Sequence, residues 1–234
     1  MSLSHQIKSD SPVAYWPLQE TAGPVVDVIG GLSLTLNSPA AMASTGMAGR
    51  RSLDLGTSSG YASGVTSAAL EPTNMTVEAW VNYNGSMASS EAEFLGKANA
   101  GSAGNGYTFG VTSGGNLQLV IMVDASGAVH YMSSASASSL ISSGWHHIAG
   151  TYDDTAKAIV LYLDGVALSG TPSGPSGTRT GGGTEPFTLG RFGGFNGFHY
   201  RGQLADVAIY STVLTADRIK AHYQAGIRSG AVMG

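Results

Sequence analysis

Residues 75–83 read Met-Thr-Val-Glu-Ala-Trp-Val-Asn-Tyr. Side chains alternate between the faces of a strand, so Val77, Ala79, Val81 and Tyr83 share one side while Thr76, Glu78, Trp80 and Asn82 share the other. Apolar groups on both faces place this strand inside a sheet rather than at its edge. Working outward, strands are predicted over Val13 to Leu18, Tyr107 to Val111, Leu117 to Val123, His130 to Ser133, Trp145 to Tyr152, Ala158 to Leu163, Phe187 to Leu189 and Gln203 to Tyr210, each closed by Gly, Ser, Asn or Asp clusters. That spacing is the rhythm of a β-sandwich. Two hairpins are legible: Asp164-Gly165 between Leu163 and Val166, where both residues accept the positive φ of a type I′ turn, and Asp124 to Gly127 between Val123 and His130.

One helix is predicted near the C-terminus. Thr215 caps it, Asp217 suits the positive end of its dipole, Ile219, His222 and Tyr223 recur at helical spacing, and Gly226 is expected to stop it. The Gly/Ser/Thr/Pro-rich stretch from Ser169 to Thr184 reads as a long surface loop, because the strand pattern resumes at Phe187.

Composition narrows the function. Of 234 residues, 34 are Gly, none is Cys and 11% are charged, against about 25% charged in typical soluble domains. The glycines suit a β-rich chain with many tight turns. Without cysteine there is no disulfide scaffold, thiolate zinc site or Cys nucleophile. The 11 Lys and Arg residues are scattered and the net charge is −4, so neither nucleic acid nor an anionic membrane is an expected partner. No apolar run approaches the ~18 residues of a membrane helix, and the opening MSLSHQIKSD lacks the features of a secretory signal.

Four segments, SDSPVAYWPLQETAG (Ser9 to Gly23), MTVEAWVNY, GWHHIAGTYDDTAKAIVLYLDGVALSG (Gly144 to Gly170) and FNGFHYRGQLADVAIYSTVLTADRIKAHYQAG (Phe195 to Gly226), resemble in order and spacing the laminin G-like jelly-roll domains of the concanavalin A-like lectin/glucanase superfamily. A polar opening followed by SPVAYWPL is similar to laminin G-like domains of tailed-phage virion proteins. The resemblance implies an all-β jelly-roll sandwich of two antiparallel sheets with one short C-terminal helix and with first and last strands side by side. The expected organisation is an N-terminal arm over residues 1–10, one domain over 11–226 and a tail over 227–234.

Glycan-cleaving members of that superfamily carry alternating carboxylates on one strand, since a retaining pair sits about 5 to 5.5 Å apart. The chain's one Glu-x-Glu, Glu91-Ala-Glu93, falls in a polar stretch that reads as a loop, so no catalysis is expected. His146 and His147 are neighbours and face opposite ways, which suits a packed strand pair and not a shared metal. A Gly-x-Ser-x-Gly elbow and a phosphate-binding loop are both absent.

The resemblance also implies a structural calcium where the opening segment meets the last strand, with Asp27 and Asp206 as ligands; otherwise Asp27 caps a turn and Asp206 accepts backbone N–H bonds. No other cofactor is expected. The stretch Arg191 to Arg201 is the candidate ligand site, because aromatic faces receive sugar C–H groups and Asn and Arg reach hydroxyls. Its residues are Phe192, Phe195, Asn196, Phe198 and Arg201. The competing expectation places Phe198 and Tyr200 in the core and Phe192 and Phe195 over a sheet edge.

These readings converge on a non-catalytic structural or adhesive protein of a phage virion, a capsid decoration or minor tail protein. It is expected at the virion surface, released by lysis, in contact with other virion proteins and with copies of itself, as a trimer for example, and binding cell-surface glycan. A bacterial carbohydrate-binding module is the alternative, and a polysaccharide hydrolase or lyase stands third.

Overall fold

The computed structural model describes the chain except residues 44, 65, 85–86, 88, 100–104, 124–128, 135–136, 143, 175–178, 180, 182, 195 and 232–234. Helix α1 (Leu3–Ser9) precedes strands β1 (Ala14–Trp16), β2 (Leu34–Asn37), β3 (Ala41–Ala43), β4 (Ser52–Asp54), β5 (Tyr61–Gly64), β6 (Met75–Tyr83), β7 (Glu91–Asn99) and β8 (Asn105–Thr112). Then come β9 (Leu117–Met122), β10 (Val129–Ser134), β11 (Trp145–Asp153), β12 (Ala158–Leu163), β13 (Val166–Ala167), β14 (Gly170–Ser173), β15 (Thr188–Leu189), β16 (Gly202–Tyr210) and helix α2 (Ala216–Ala231). One sheet runs β13-β12-β11-β6-β16-β4-β3, with β1 also on β16; the other runs β14-β10-β9-β8-β7-β15-β5-β2. Both are antiparallel throughout these pairings, as in a jelly roll.

Strand β6 lies between β11 and β16, as its two apolar faces require. Val77, Ala79, Val81 and Tyr83 enter the core between the sheets, where Trp16 stacks on Phe187 at 4.9 Å and Tyr200 sits between Phe94 and Tyr83. Trp80 points the other way, into a second apolar cluster with Leu3, Ile7, Tyr210, Ile219 and Ala225 beneath the two helices. First and last strands pair as expected, Ala14 opposite Ile209. The Leu163–Val166 hairpin has both turn residues at positive φ, Asp164 at 51° and Gly165 at 74°.

Several expectations are corrected. Within the expected N-terminal arm, residues 3–9 form a helix for which no element was predicted, because Leu3 and Ile7 find a hydrophobic seat against α2. Gly226 does not stop α2, which continues to Ala231. It is glycine because a Cβ there would stand 2.2 Å from Cζ2 of Trp80. The Ser169 to Thr184 stretch contributes edge strand β14, paired with β10. The Asp124 to Gly127 turn lies outside the described residues.

Candidate functional site

Asp27 and Asp206 do not converge on an ion. The Asp27 carboxylate accepts the N–H groups of Tyr15, Ile29, Gly30 and Leu32 at 2.9 to 3.1 Å, which makes it the organiser of a turn. Asp206 sits at a β-bulge with φ of 49°, where it accepts the Tyr15 phenol at 2.5 Å and pairs with Arg50. The partners of Asp206 are therefore side chains, where backbone N–H groups were the expected alternative. Tyr15 bridges the two carboxylates by its opposite ends, and each is filled by donors of the chain itself. These residues do not fit the calcium that the resemblance implies. Among the described residues no group of three or more His, Asp or Glu side chains is placed to hold a metal.

The aromatic stretch divides. Phe192 is buried against Ala98 and Met122 and meets Phe198 edge-on at 6.2 Å, covering the outer face of β7 and β9. Phe198 thus packs on the outside of that sheet, while Tyr200 alone enters the core. Asn196 is exposed and its Oδ1 lies 2.9 Å from Nε2 of His199, whose imidazole is kept neutral by burial and by Arg191 and Arg201. Phe195 lies outside the described residues. Arg201 donates from Nε to the Ser58 carbonyl at 3.2 Å. Among the described residues, Phe192 and Phe198 pack together on the sheet, while Asn196 is exposed.

Glu91 and Glu93 belong to β7 and not to a loop. Their spacing places both on the outer face, yet Glu93 is buried beside Gly110 and Thr108, and its N–H donates to the Phe198 carbonyl at 2.8 Å. Burial, reinforced by Glu91, raises the Glu93 carboxyl to about 8, so it is protonated at neutral pH and closed off from any polysaccharide. His147 packs as expected of a strand histidine, with Nε2 3.0 Å from Glu78. Glu78 also takes the phenol of Tyr210 and Nδ1 of His222, while His222 Nε2 faces Asp10 at 2.9 Å. Despite its burial, these partners hold Glu78 far below the usual carboxylate range. This cluster fastens the helices to the sheet and is sealed beneath them.

An open cleft of about 430 Å³ lies instead at the end of β6, lined by Asp54, Gly56, Thr57, Asn82, Tyr83, Asn84, Gly202 and Gln203. Ladder register explains how it forms. Gln203 stands opposite Asp54 on one side and Asn82 on the other, and Asn82 stands opposite Trp145. Directly opposed residues share a face, so Asp54, Gln203, Asn82 and Trp145 make one row across β4, β16, β6 and β11. At ~4.8 Å per strand the row spans about 14 Å. Its members have been oriented by local bonds: Asp54 Oδ1 accepts the Gly56 N–H at 2.8 Å, and Asn82 Oδ1 accepts the Gly144 N–H at 3.1 Å. Asp54 and Asn82 both line the cleft, a carboxylate beside a carboxamide. Burial lifts the Tyr83 phenol above its ordinary range, against the pull of Arg201, and keeps it a neutral O–H. Carboxamides beside a carboxylate and an indole can bond hydroxyls and stack on a ring face. The sequence signal was faint: Asn82 lies in the quoted strand, but its row partners come from three other segments.

Comparison with known proteins follows from this geometry. The profile of the concanavalin A-like lectin/glucanases superfamily, of the third laminin G type, matches residues 55–220. No curated protein matches the sequence. Among solved structures, the binding domain of paraclostridial mosquitocidal protein 1 superposes with a TM-score of 0.68 at 14% identity, over 93% of this chain and 52% of that one. Domain 4 of AbnA, a GH43 extracellular arabinanase from Geobacillus stearothermophilus solved with arabinotriose, gives 0.66 at 17% identity, over 91% and 98%. The botulinum neurotoxin serotype D ligand-binding domain, solved with N-acetylneuraminic acid, gives 0.67 at 14%, over 94% and 52%. The chain spans about half the length of the two toxin domains. At these identities the likeness is one of fold.

Proposed function

The chain belongs to the concanavalin A-like lectin/glucanases superfamily, and from that membership we propose that it is a non-catalytic carbohydrate-binding protein whose site is the cleft at the end of β6. The observation that carries this reading is the row Asp54, Gln203, Asn82 and Trp145, with Tyr83 and Asn84 at its side. Asp54, Gln203, Asn82 and Asn84, with no cation among the lining residues, suit neutral hydroxyls better than phosphate or an acidic peptide. The length of the row suits an oligosaccharide. Likeness in fold to structures solved with arabinotriose and N-acetylneuraminic acid supports the same class of ligand.

The binding is non-catalytic in this reading because Glu93 is buried and protonated, leaving Glu91 without a reachable partner. A virion setting, with the domain as an adhesive part of a capsid or tail, is the fuller form of the proposal; its support is the opening segment's resemblance to phage laminin G-like domains. Purified virions examined by mass spectrometry test that setting, and absence of the chain from them refutes it.

The cleft is tested by a glycan array followed by calorimetric titration of the hits. Asn82→Ala and Gln203→Ala should each weaken binding about tenfold, equivalent to about 1.4 kcal/mol and one hydrogen bond. No bound glycan, or affinities unchanged in both variants, overturns the reading.

A further inference from the structure

A second pocket, of about 300 Å³, opens at the opposite end of the same sheet and is lined by Glu71, Thr73, Asp154, Arg179 and Gly181. Glu71 and Thr73 lead into β6 and Asp154 follows β11, so about 30 Å of strand separates this pocket from the cleft. Its cation is unusually placed. The Arg179 guanidinium lies over the Tyr107 ring at 5.5 Å and its Nη1 donates to the Pro72 carbonyl. Among the described residues, Nε and Nη2 are buried without a hydrogen-bond partner. Those two N–H groups lie parallel on one edge of the guanidinium, the geometry that receives both oxygens of a carboxylate.

The neighbouring carboxylates do not fill that edge. Glu71 is paired with the buried Lys97, and Asp154 Oδ1 receives Lys157 Nζ at 2.8 Å and the Tyr152 phenol at 2.9 Å. Within the lining, Glu71 and Asp154 are thus each paired with a lysine, Lys97 and Lys157, and the Arg179 fork is the group left without a hydrogen-bonded carboxylate. A sugar acid offers its two coplanar carboxylate oxygens to the Arg179 fork and its hydroxyls to Asp154, Glu71 and Thr73, whereas sulfate has no hydroxyl to offset the two lining carboxylates. Gly181 keeps the wall open, since a Cβ there would stand 2.3 Å from Oε2 of Glu71.

We propose that this pocket is a second ligand site, one that takes the carboxylate-bearing ring of an acidic saccharide, with Arg179 as its bidentate anchor. It is independent of the neutral-sugar cleft. The test is titration of the full chain, labelled with nitrogen-15, with glucuronate, N-acetylneuraminate, glucose and sulfate, following the Thr73 and Gly181 amides. One or both acids should shift these amides at millimolar concentration, while glucose and sulfate leave them in place. Arg179→Lys, which keeps the charge and removes the fork, should weaken the acid at least tenfold, and Asn82→Ala should leave it unchanged. The proposal is overturned by silent amides in the wild-type protein, by Arg179→Lys binding like wild type, or by sulfate acting as strongly as the acids.

Discussion

Replacing Glu93 with Gln should stabilise the protein, by an amount that grows with pH. Glu93 is 1% exposed, its Oε2 has no hydrogen-bond partner, and its folded-state carboxyl is raised from 4.5 to about 8, first by burial and then by Glu91, against a bond from Thr108. A raised acid binds its proton more tightly when folded. Its contribution is therefore fully favourable below about 4.5 and is lost as pH rises through about 8. Each pH unit between those values costs about 1.4 kcal/mol, so the Glu93 chain loses roughly 4 kcal/mol between pH 5 and pH 9 that the amide does not. Gln keeps the shape and carries no charge, and subtracting the two proteins cancels every other titration.

Denaturant unfolding of both proteins at pH 5, 7 and 9 checks this. At pH 5 the stabilities should agree within about 1 kcal/mol, and at pH 9 the variant should lead by roughly 4, or about 10 °C in melting temperature for a chain of this size. A difference that does not change with pH would mean that Glu93 is ionised and solvated in the folded protein, and the assignment of this strand position as a sealed acid would fail.

Other outcomes follow from the same contacts. Glu78→Gln should cost about 3–5 kcal/mol at pH 6, because it strips a buried charge from His222, and hydrogen exchange should show α2 opening first. Burial disfavours the His222 imidazolium, but Glu78 and Asp10 outweigh it and raise its proton affinity; that stabilisation is present below about 6.5 and fades above, whereas the depressed Glu78 loses its own as pH falls below about 4.5. The cluster therefore contributes most between those limits, and a stability profile flat from pH 3 to 9 in wild type minus Glu78→Gln would contradict it. Gly226→Ala, a change that favours an ordinary helix by about 1 kcal/mol, should instead destabilise this one by about 1–3, because Trp80 is held by His147 and Tyr223 and cannot retreat from the new Cβ. Asp27→Ala should cost about 2–4 kcal/mol by releasing four backbone donors, while excess chelator leaves the wild-type melting curve in place.

What could be read in advance was what repeats locally. The alternation of MTVEAWVNY fixes a central strand, Asp164-Gly165 fixes a turn, and Thr215 with Ile219, His222 and Tyr223 fixes a helix start. Strand β7 was missed because it buries Glu93 on its outer face and, past a bulge, Lys97 on its inner one, polar residues that look solvated until the neutral acid and the Lys97–Glu71 pair are seen. The helical N-terminus was missed because Leu3 and Ile7 are only two apolar residues in a polar run, and what buries them is α2, more than 200 residues along the chain. The cleft was illegible for a different reason. Asp54, Gln203, Asn82 and Trp145 are adjacent only through the register of three strand pairings, and no local pattern encodes register.

The scarcity of charge gains meaning from where the charges went. Glu78, Glu93, Lys97 and Asp206 are buried, Asp27 is consumed by its turn, and Asp10 and Arg218 hold the two helices together. With only 11% charged residues at the outset, little is left to give the exterior a long-range field. Both helices cover the outer face of one sheet, and the Phe192–Phe198 segment covers part of the other. Among the described residues, the two pockets lie at strand ends, and the register sorts them chemically. One end presents amides, a carboxylate and aromatic rings in a row, a surface that discriminates by hydroxyl geometry. The other presents a guanidinium edge among carboxylates already paired, a surface that discriminates by one negative charge. On the proposed reading, the two ends of a single strand, β6, divide recognition between neutral and acidic sugars, and at about 30 Å apart they would be engaged by separate branches of a glycan or by separate copies of the chain.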